Sequence, residues 1–128
     1  MILDLHPSDY LIYVVDSDKN QLSFLSDAFS KWGFQVKSFH DGDSALEVMK
    51  KGELPHVLFA DLQMSGLSGV GLAKRAKEFS AEVEVVFMTT TPSVESAMEA
   101  LRLGVHDYLL KPFEKMDDIR NVLFHVCE

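Results

Sequence analysis

Four apolar runs in the chain each stop at residues able to do chemistry. Leu11 to Val15 runs into Asp16, Ser17 and Asp18; His56 to Ala60 runs into Asp61; Glu84 to Met88 ends in Thr89, Thr90 and Thr91; Tyr108 to Leu110 leads to Lys111. Gathered in one crevice, these supply at least two carboxylates, a hydroxyl and an ammonium. Two like charges about 4 Å apart cost about 4 kcal/mol at an effective dielectric of about 20, so Asp16 and Asp61 can share a crevice only by raising a pKa or recruiting a cation. Oxygen-only donors suit a hard ion such as Mg²⁺, which is held by one or two carboxylates, waters and a phosphoryl oxygen. Neither a histidine nor Cys127 stands at these strand ends, which argues against zinc. An aspartate beside Mg²⁺ and a lysine is well placed to attack phosphorus, because both cations offset charge on the transferring group.

The elements that must position these residues follow from the spacing of apolar side chains. The continuous run Leu11–Val15 suits a strand covered on both faces. Leu22, Leu25, Phe29 and Trp32 then mark one helical face that stops at Gly33. Gln35 to Phe39 reads as a second strand, and Asp41 to Lys51, with Ala45, Leu46, Val48 and Met49, as a second helix with its acid and its lysines at the ends the dipole favours. His56 to Ala60 is a third strand, followed by a loop from Leu62 to Gly69 and a third helix to about Phe79. Glu84 to Met88 is a fourth strand; Pro92 opens a helix expected to turn Val94, Ala97, Met98 and Leu101 inward, closed by Gly104. Tyr108 to Leu110 is a short fifth strand, and Met116, Ile119, Val122, Leu123 and Val126 line a last helix. Five strands alternating with five helices predict an α/β fold: a doubly wound parallel sheet, right-handed crossovers and helices on both faces. Ligands in such sheets bind at the carboxyl ends of the strands, where the winding direction reverses.

Composition narrows the function. Lys and Arg number 12 against 20 Asp and Glu, a formal charge of −8, and 47% of the 128 residues are apolar. One domain is expected, burying roughly two-thirds of the surface of its unfolded chain. A single cysteine forms no internal disulfide, and no apolar run approaches the ~20 residues of a membrane helix. With no basic segment ahead of an apolar one at the N-terminus, the expected location is the cytoplasm, without membrane insertion. The acidic balance and dispersed basic residues disfavour direct nucleic-acid binding.

From about Tyr10 to Val126 the chain resembles the receiver domain of two-component response regulators, the chemotaxis-regulator-like, flavodoxin-like fold with strand order 2-1-3-4-5. The matches are VVDSD at the first strand end, VLFADLQMSGLSG around Asp61, VVFMTT, and ALRLGVHDYLLKPF leading through Lys111, in which Gly104, Tyr108, Lys111, Pro112 and Phe113 keep the family's spacing. The resemblance implies one receiver domain over residues 1–128, with 1–9 as an N-terminal extension. It implies that Asp61 accepts a phosphoryl group from a histidine kinase or histidine phosphotransfer protein. Asp16, Asp61 and the backbone carbonyl of Gln63 would hold Mg²⁺, with Asp18 or Ser17 as a further candidate. Thr89 would hydrogen-bond the phosphoryl group, Lys111 would pair with it, Thr89 and Tyr108 would form the switch, and Pro112 would follow a cis bond. The chain would be a self-phosphorylating and autodephosphorylating signalling domain rather than a conventional enzyme. Its altered face would be the fourth helix, fifth strand and last helix, where an effector or second copy docks, with Glu95, Glu99 and Arg102 as contacts.

Departures from the family pattern keep alternatives open. Ser17 stands where the family has a second acid that ligates the metal, Ser65 where proline is common, and Thr90 where a small residue is common. A pseudo-receiver that never carries phosphate is one alternative. Another is a haloacid-dehalogenase-like phosphatase, since VVDSD offers an Asp-x-Asp strand end, although that leaves Asp61 unexplained. A calcium loop over Asp16, Asp18, Asn20 and Asp27 is rejected, because Gln21 replaces the glycine that loop needs. Each candidate also has a plainer role: Asp16 or Asp18 as a helix cap, Thr89 as an ordinary strand residue, Tyr108 packed on the sheet. Trp32 and the methionines Met64, Met88, Met98 and Met116 read as packing residues. His40, His56, His106 and His125 share no metal-binding spacing, and Cys127 reads as an incidental thiol.

Overall fold

The computed structural model of the chain describes residues 5–128; of the expected extension over residues 1–9, residues 1–4 lie outside the described residues. A 3₁₀ turn over Pro7–Asp9 leads into β1 (Leu11–Val15), α1 (Lys19–Lys31), β2 (Gln35–Phe39), α2 (Gly42–Lys50), β3 (Val57–Asp61), α3 (Gly69–Phe79), β4 (Glu84–Thr89), α4 (Val94–Leu103), β5 (Asp107–Leu110) and α5 (Met116–Val126). The strands form one sheet in the order β2-β1-β3-β4-β5, all neighbours parallel. No helix among the described residues is long and apolar enough to cross a membrane.

Alternation along the strands assigns each helix to a face. Tyr13 and Val15, with Leu58, Ala60, Val85 and Phe87, point to the side covered by α2, α3 and α4, where Leu46, Met49, Leu72 and Ala76 meet them. Ile12 and Val14, with Val57, Phe59, Val86 and Met88, point to the other side, packed by Leu22, Leu25 and Phe29 of α1 and Ile119 and Leu123 of α5. Both faces of β1, β3 and β4 are therefore buried, which is why these strands read as unbroken apolar runs. Helix starts are set by short polar side chains: Asp18, Asp41, Ser68 and Ser93 each accept a main-chain N–H from the first turn of α1, α2, α3 and α4. Gly104 ends α4 at φ 69°, a left-handed conformation that costs glycine little.

The expected inward face of α4 is wrong by one row. Val94, Met98 and Leu101 are exposed, at 79%, 44% and 74%, while Ala100 is buried. Ala100 and Leu103, spaced three apart, pack on the core, and Ala97, one of the four residues expected inward, is half-buried. Two apolar rows lie side by side on this helix, and periodicity alone does not say which one meets the sheet. The small Ala100 is the buried residue of this helix, and Val94, Met98 and Leu101 are left in water. Element ends also shift: β3 and β4 run one residue further than expected, to Asp61 and Thr89, and Pro92 precedes the Ser93 cap rather than opening the helix. Trp32 is half-buried, tilted against Phe29.

This packing sets two opposite expectations in urea denaturation. Phe59→Ala, at a fully buried position edge-on to Phe29, should cost about 3–5 kcal/mol. Leu101→Ala should stay within about 0.5 kcal/mol of wild type; a loss comparable to Phe59→Ala would restore the rejected orientation of α4.

Candidate functional site

Strand register gathers the site. Val15 pairs with Ala60, Asp61 with Met88 and Thr89 with Leu110, so Asp16, Asp61, Thr89 and Lys111 leave the sheet at one edge. The ladder continues through their backbones: Asp16 N–H donates to Phe39, Leu62 N–H to Met88 and Lys111 N–H to Thr89, at 3.1, 2.9 and 2.8 Å. Their backbones are thus fixed by the sheet, which leaves only the side chains to move.

Lys111 Nζ donates to Asp16 Oδ2 at 2.8 Å and to Asp61 Oδ2 at 3.0 Å. The second oxygen of each carboxylate accepts a main-chain N–H two residues on, Asp18 to Asp16 Oδ1 at 3.0 Å and Gln63 to Asp61 Oδ1 at 3.1 Å. All three side chains are largely buried. Burial pushes the Asp16 carboxyl above its ordinary range; Lys111 and the Asp18 amide only partly counter this, and the nearby Asp61 charge adds to it. Burial alone would lower the Lys111 ammonium, yet its bonds to both carboxylates leave it raised.

The peptide joining Lys111 to Pro112 is cis. Thr89 is fully buried, and its Oγ1 accepts the Thr91 N–H at 3.0 Å. Tyr108 Oη lies 2.6 Å from Ser96 Oγ and accepts the Ser93 N–H at 3.4 Å, which ties this aromatic to the start of α4. Ser17 and Gln63 are exposed. Asp18 takes the plainer of its two expected roles: its Oδ1 accepts from Asn20 and Gln21 at 2.9 and 3.3 Å as the cap of α1.

Two contributions were missed in the sequence. A Cβ on Gly69 would strike the Asp61 carbonyl oxygen and lie 2.9 Å from Leu62 Cα, so glycine there lets α3 begin against the backbone of the acidic strand end. The Ser-Gly pattern of the loop signalled a turn but not this contact. Ser96 carried no signal at all, since a serine in the first turn of a helix is ordinary.

The donors fit a hard divalent cation. Asp16 and Asp61 offer only oxygen, share one buried ammonium and keep a net negative charge between them, as Mg²⁺ requires of a site with one or two carboxylates. Among the described residues no group of three or more His, Cys, Asp or Glu side chains converges on a metal position.

The raised Asp16 pKa has a signed consequence. A carboxyl raised by folding contributes stability that is complete below its ordinary value, 3.8, and is lost as pH rises through the folded value. Asp16→Asn removes that loss, so the variant should be more stable than wild type at pH 7. The gain should vanish as pH falls toward the ordinary carboxylate range, read by urea denaturation at a series of pH values. Lys111, raised from 10.5, contributes stability present below that value and lost only at higher alkalinity, so it does not disturb the window. A variant less stable than wild type at pH 7 would reverse the assigned sign.

Comparison with known proteins shows the family. The family model described as the response regulator receiver domain matches residues 12–124. The regulatory protein AtoC of Escherichia coli is 32% identical over 112 residues, covering 88% of this chain and 24% of AtoC. The transcriptional regulatory protein ZraR of Klebsiella oxytoca is 35% identical over 103 residues, covering 80% of this chain and 23% of ZraR. The chain thus spans about a quarter of the length of these curated relatives. Among solved structures, NtrX from Brucella abortus superposes with a TM-score of 0.83 at 28% identity, over 92% of this chain and 27% of that one. The chemotaxis protein CheY4 of Vibrio cholerae, at 23% identity, shares the fold with a TM-score of 0.82 over 91% of this chain and 98% of that one. The chain belongs to the response regulator receiver domain family of two-component signal transduction, whose members are phosphorylated on aspartate.

Proposed function

We infer that Asp61 is the phosphoacceptor and that the chain receives its phosphoryl group from the phosphohistidine of a histidine kinase or a histidine phosphotransfer protein. The observation that carries this reading is the single ammonium of Lys111 held on both Asp16 and Asp61. A carboxylate oxygen of Asp61 attacks phosphorus in line, an O–P bond forms, the N–P bond breaks, and the imidazole nitrogen leaves with the electron pair. Lys111 remains beside the transferred group and pairs with its oxygens. The Thr89 hydroxyl accepts a bond from Thr91 and keeps its own proton to donate to a phosphoryl oxygen. The family generally binds Mg²⁺ at the phosphorylation site; here Asp16, Asp61 and the main-chain carbonyl of Gln63 would hold it, and it would neutralise charge on the phosphoryl oxygens. Hydrolysis of the acyl phosphate later returns the carboxylate.

The output is a changed surface. Thr89 follows the phosphoryl group, and Tyr108 is bonded to the first turn of α4, so a shift at one reaches the other through the β4–α4 loop. The face made by α4, β5 and α5 is where a second copy or effector would dock; Val94, Leu101 and Leu110 stand exposed there. A single receiver unit spanning the chain, acting in the cytoplasm, completes the reading.

The pseudo-receiver reading retains one favourable observation: Ser17 replaces an acid and Asp18 is committed to its cap, so the metal site has two carboxylates rather than three. The phosphatase reading has none. It needs Asp16 as an accessible nucleophile, and Asp16 is fully buried.

Intact-mass measurement after incubation with acetyl phosphate and Mg²⁺ separates these cases. Wild type should gain one hydroxylamine-labile phosphoryl group and Asp61→Asn none; no gain by wild type even at high Mg²⁺ would favour the pseudo-receiver. Ser17→Asp should tighten Mg²⁺ binding by about tenfold or more, since a further carboxylate about 4 Å from a divalent ion is worth ~2 kcal/mol even in water. Unchanged affinity in calorimetry would refute the account of Ser17.

A further inference from the structure

His106 and His125 lie 19 positions apart in sequence, and only the fold makes them neighbours. His106 is the residue before β5, and its N–H donates to Val85 at 2.7 Å, which locks its backbone to β4. His125 stands in the last turn of α5, a helix anchored on the sheet by Ile119 and Leu123. His125 Nδ1 lies 3.2 Å from His106 Nε2. The ring centroids are 5.1 Å apart at an interplanar angle of 49°, so nitrogen edges meet rather than ring faces. His125 Nε2 lies 3.7 Å from the Glu128 carboxylate.

Two imidazole nitrogens bound to one tetrahedral zinc at ~2.0–2.1 Å stand about 3.3–3.4 Å apart. The observed separation is within a few tenths of an ångström of that edge. With the His125 proton on Nε2, toward Glu128, its Nδ1 lone pair faces His106; moving the His106 proton to Nδ1 frees the second lone pair without net proton loss. At 3.7 Å the Glu128 carboxylate is beyond direct hydrogen-bond reach of that Nε2 and acts on the imidazole through its charge. His125 is well exposed, which leaves an entry path and open positions for water. The net charge of −8 favours a cation.

We propose that His106 and His125 form a two-nitrogen site for a borderline divalent metal of the zinc, nickel and copper class, with Glu128 as a positioning residue. Nitrogen donors select these ions over Mg²⁺. The site lies at the amino end of β5, whereas Asp61 and Lys111 lie at the carboxyl ends of the strands. A bound ion would clip the start of β5 to the end of α5.

The test is calorimetric titration of the full chain with zinc chloride in saturating Mg²⁺, which keeps the hard-ion site occupied, repeated with Asp61→Asn. One zinc per chain is expected in both. His106→Ala and His125→Ala should each weaken binding at least about tenfold, and Glu128→Gln by up to about tenfold. Circular dichroism checks that each variant is folded. Proton NMR should show both imidazole signals shifting together on zinc addition. Zinc affinity unchanged in both histidine variants, or binding lost in Asp61→Asn, would overturn the site and leave the contact a histidine–histidine hydrogen bond only.

Discussion

One ammonium shared by two buried carboxylates is the constraint on which the structure depends. Lys111 neutralises one charge, not two, so the crevice keeps a net negative charge in a place that burial makes costly for anions. The protein carries that cost at the edge of its sheet, where backbone ladders hold the three residues in place whatever their side chains prefer. A crevice in this condition gains from any further cation and from a group whose oxygens can take over the lysine. Phosphoryl transfer onto a carboxylate would provide the second, and a hard divalent ion the first.

The residues that follow the site along the chain lead to α4. Thr89 closes β4, and the next turn carries Ser93, whose amide meets Tyr108, and then Ser96, whose hydroxyl meets it too. A buried hydroxyl stands at one end of this short segment and the Tyr108 hydroxyl bonds at the other. Helix α4 meets the core through Ala100 and Leu103 and leaves Val94, Met98 and Leu101 exposed. An apolar exterior sets α4 apart from α1, whose Leu25 and Phe29 are fully buried.

Much of this was legible in the chain because strands buried on both faces have no choice of composition. The runs Leu11–Val15 and Val57–Ala60 advertise central parallel strands, and the polar residue that ends each must lie at the sheet's edge. Those two inferences bring Asp16 and Asp61 together; Lys111 joins them only through the short, half-buried β5. Capping was ambiguous, since Asp18 could ligate or cap, and the first turn of α1 claimed it. Helix α4 was misread because two apolar rows on one helix carry equal periodic signal, and side-chain size against the sheet chose between them.

The amino-acid order by itself determined the alternation of elements, the acidic balance and the identity of the residues at the strand ends, all of which are properties of neighbours along the chain. Tertiary structure alone decided which oxygen of each carboxylate meets Lys111, that a missing Cβ at Gly69 lets a helix begin against Asp61, and that His106 and His125 touch. The division has a physical cause. Burial pattern and backbone preference are local and leave a periodic trace, whereas contacts between distant side chains depend on register and helix rotation, for which no single stretch of sequence carries a record.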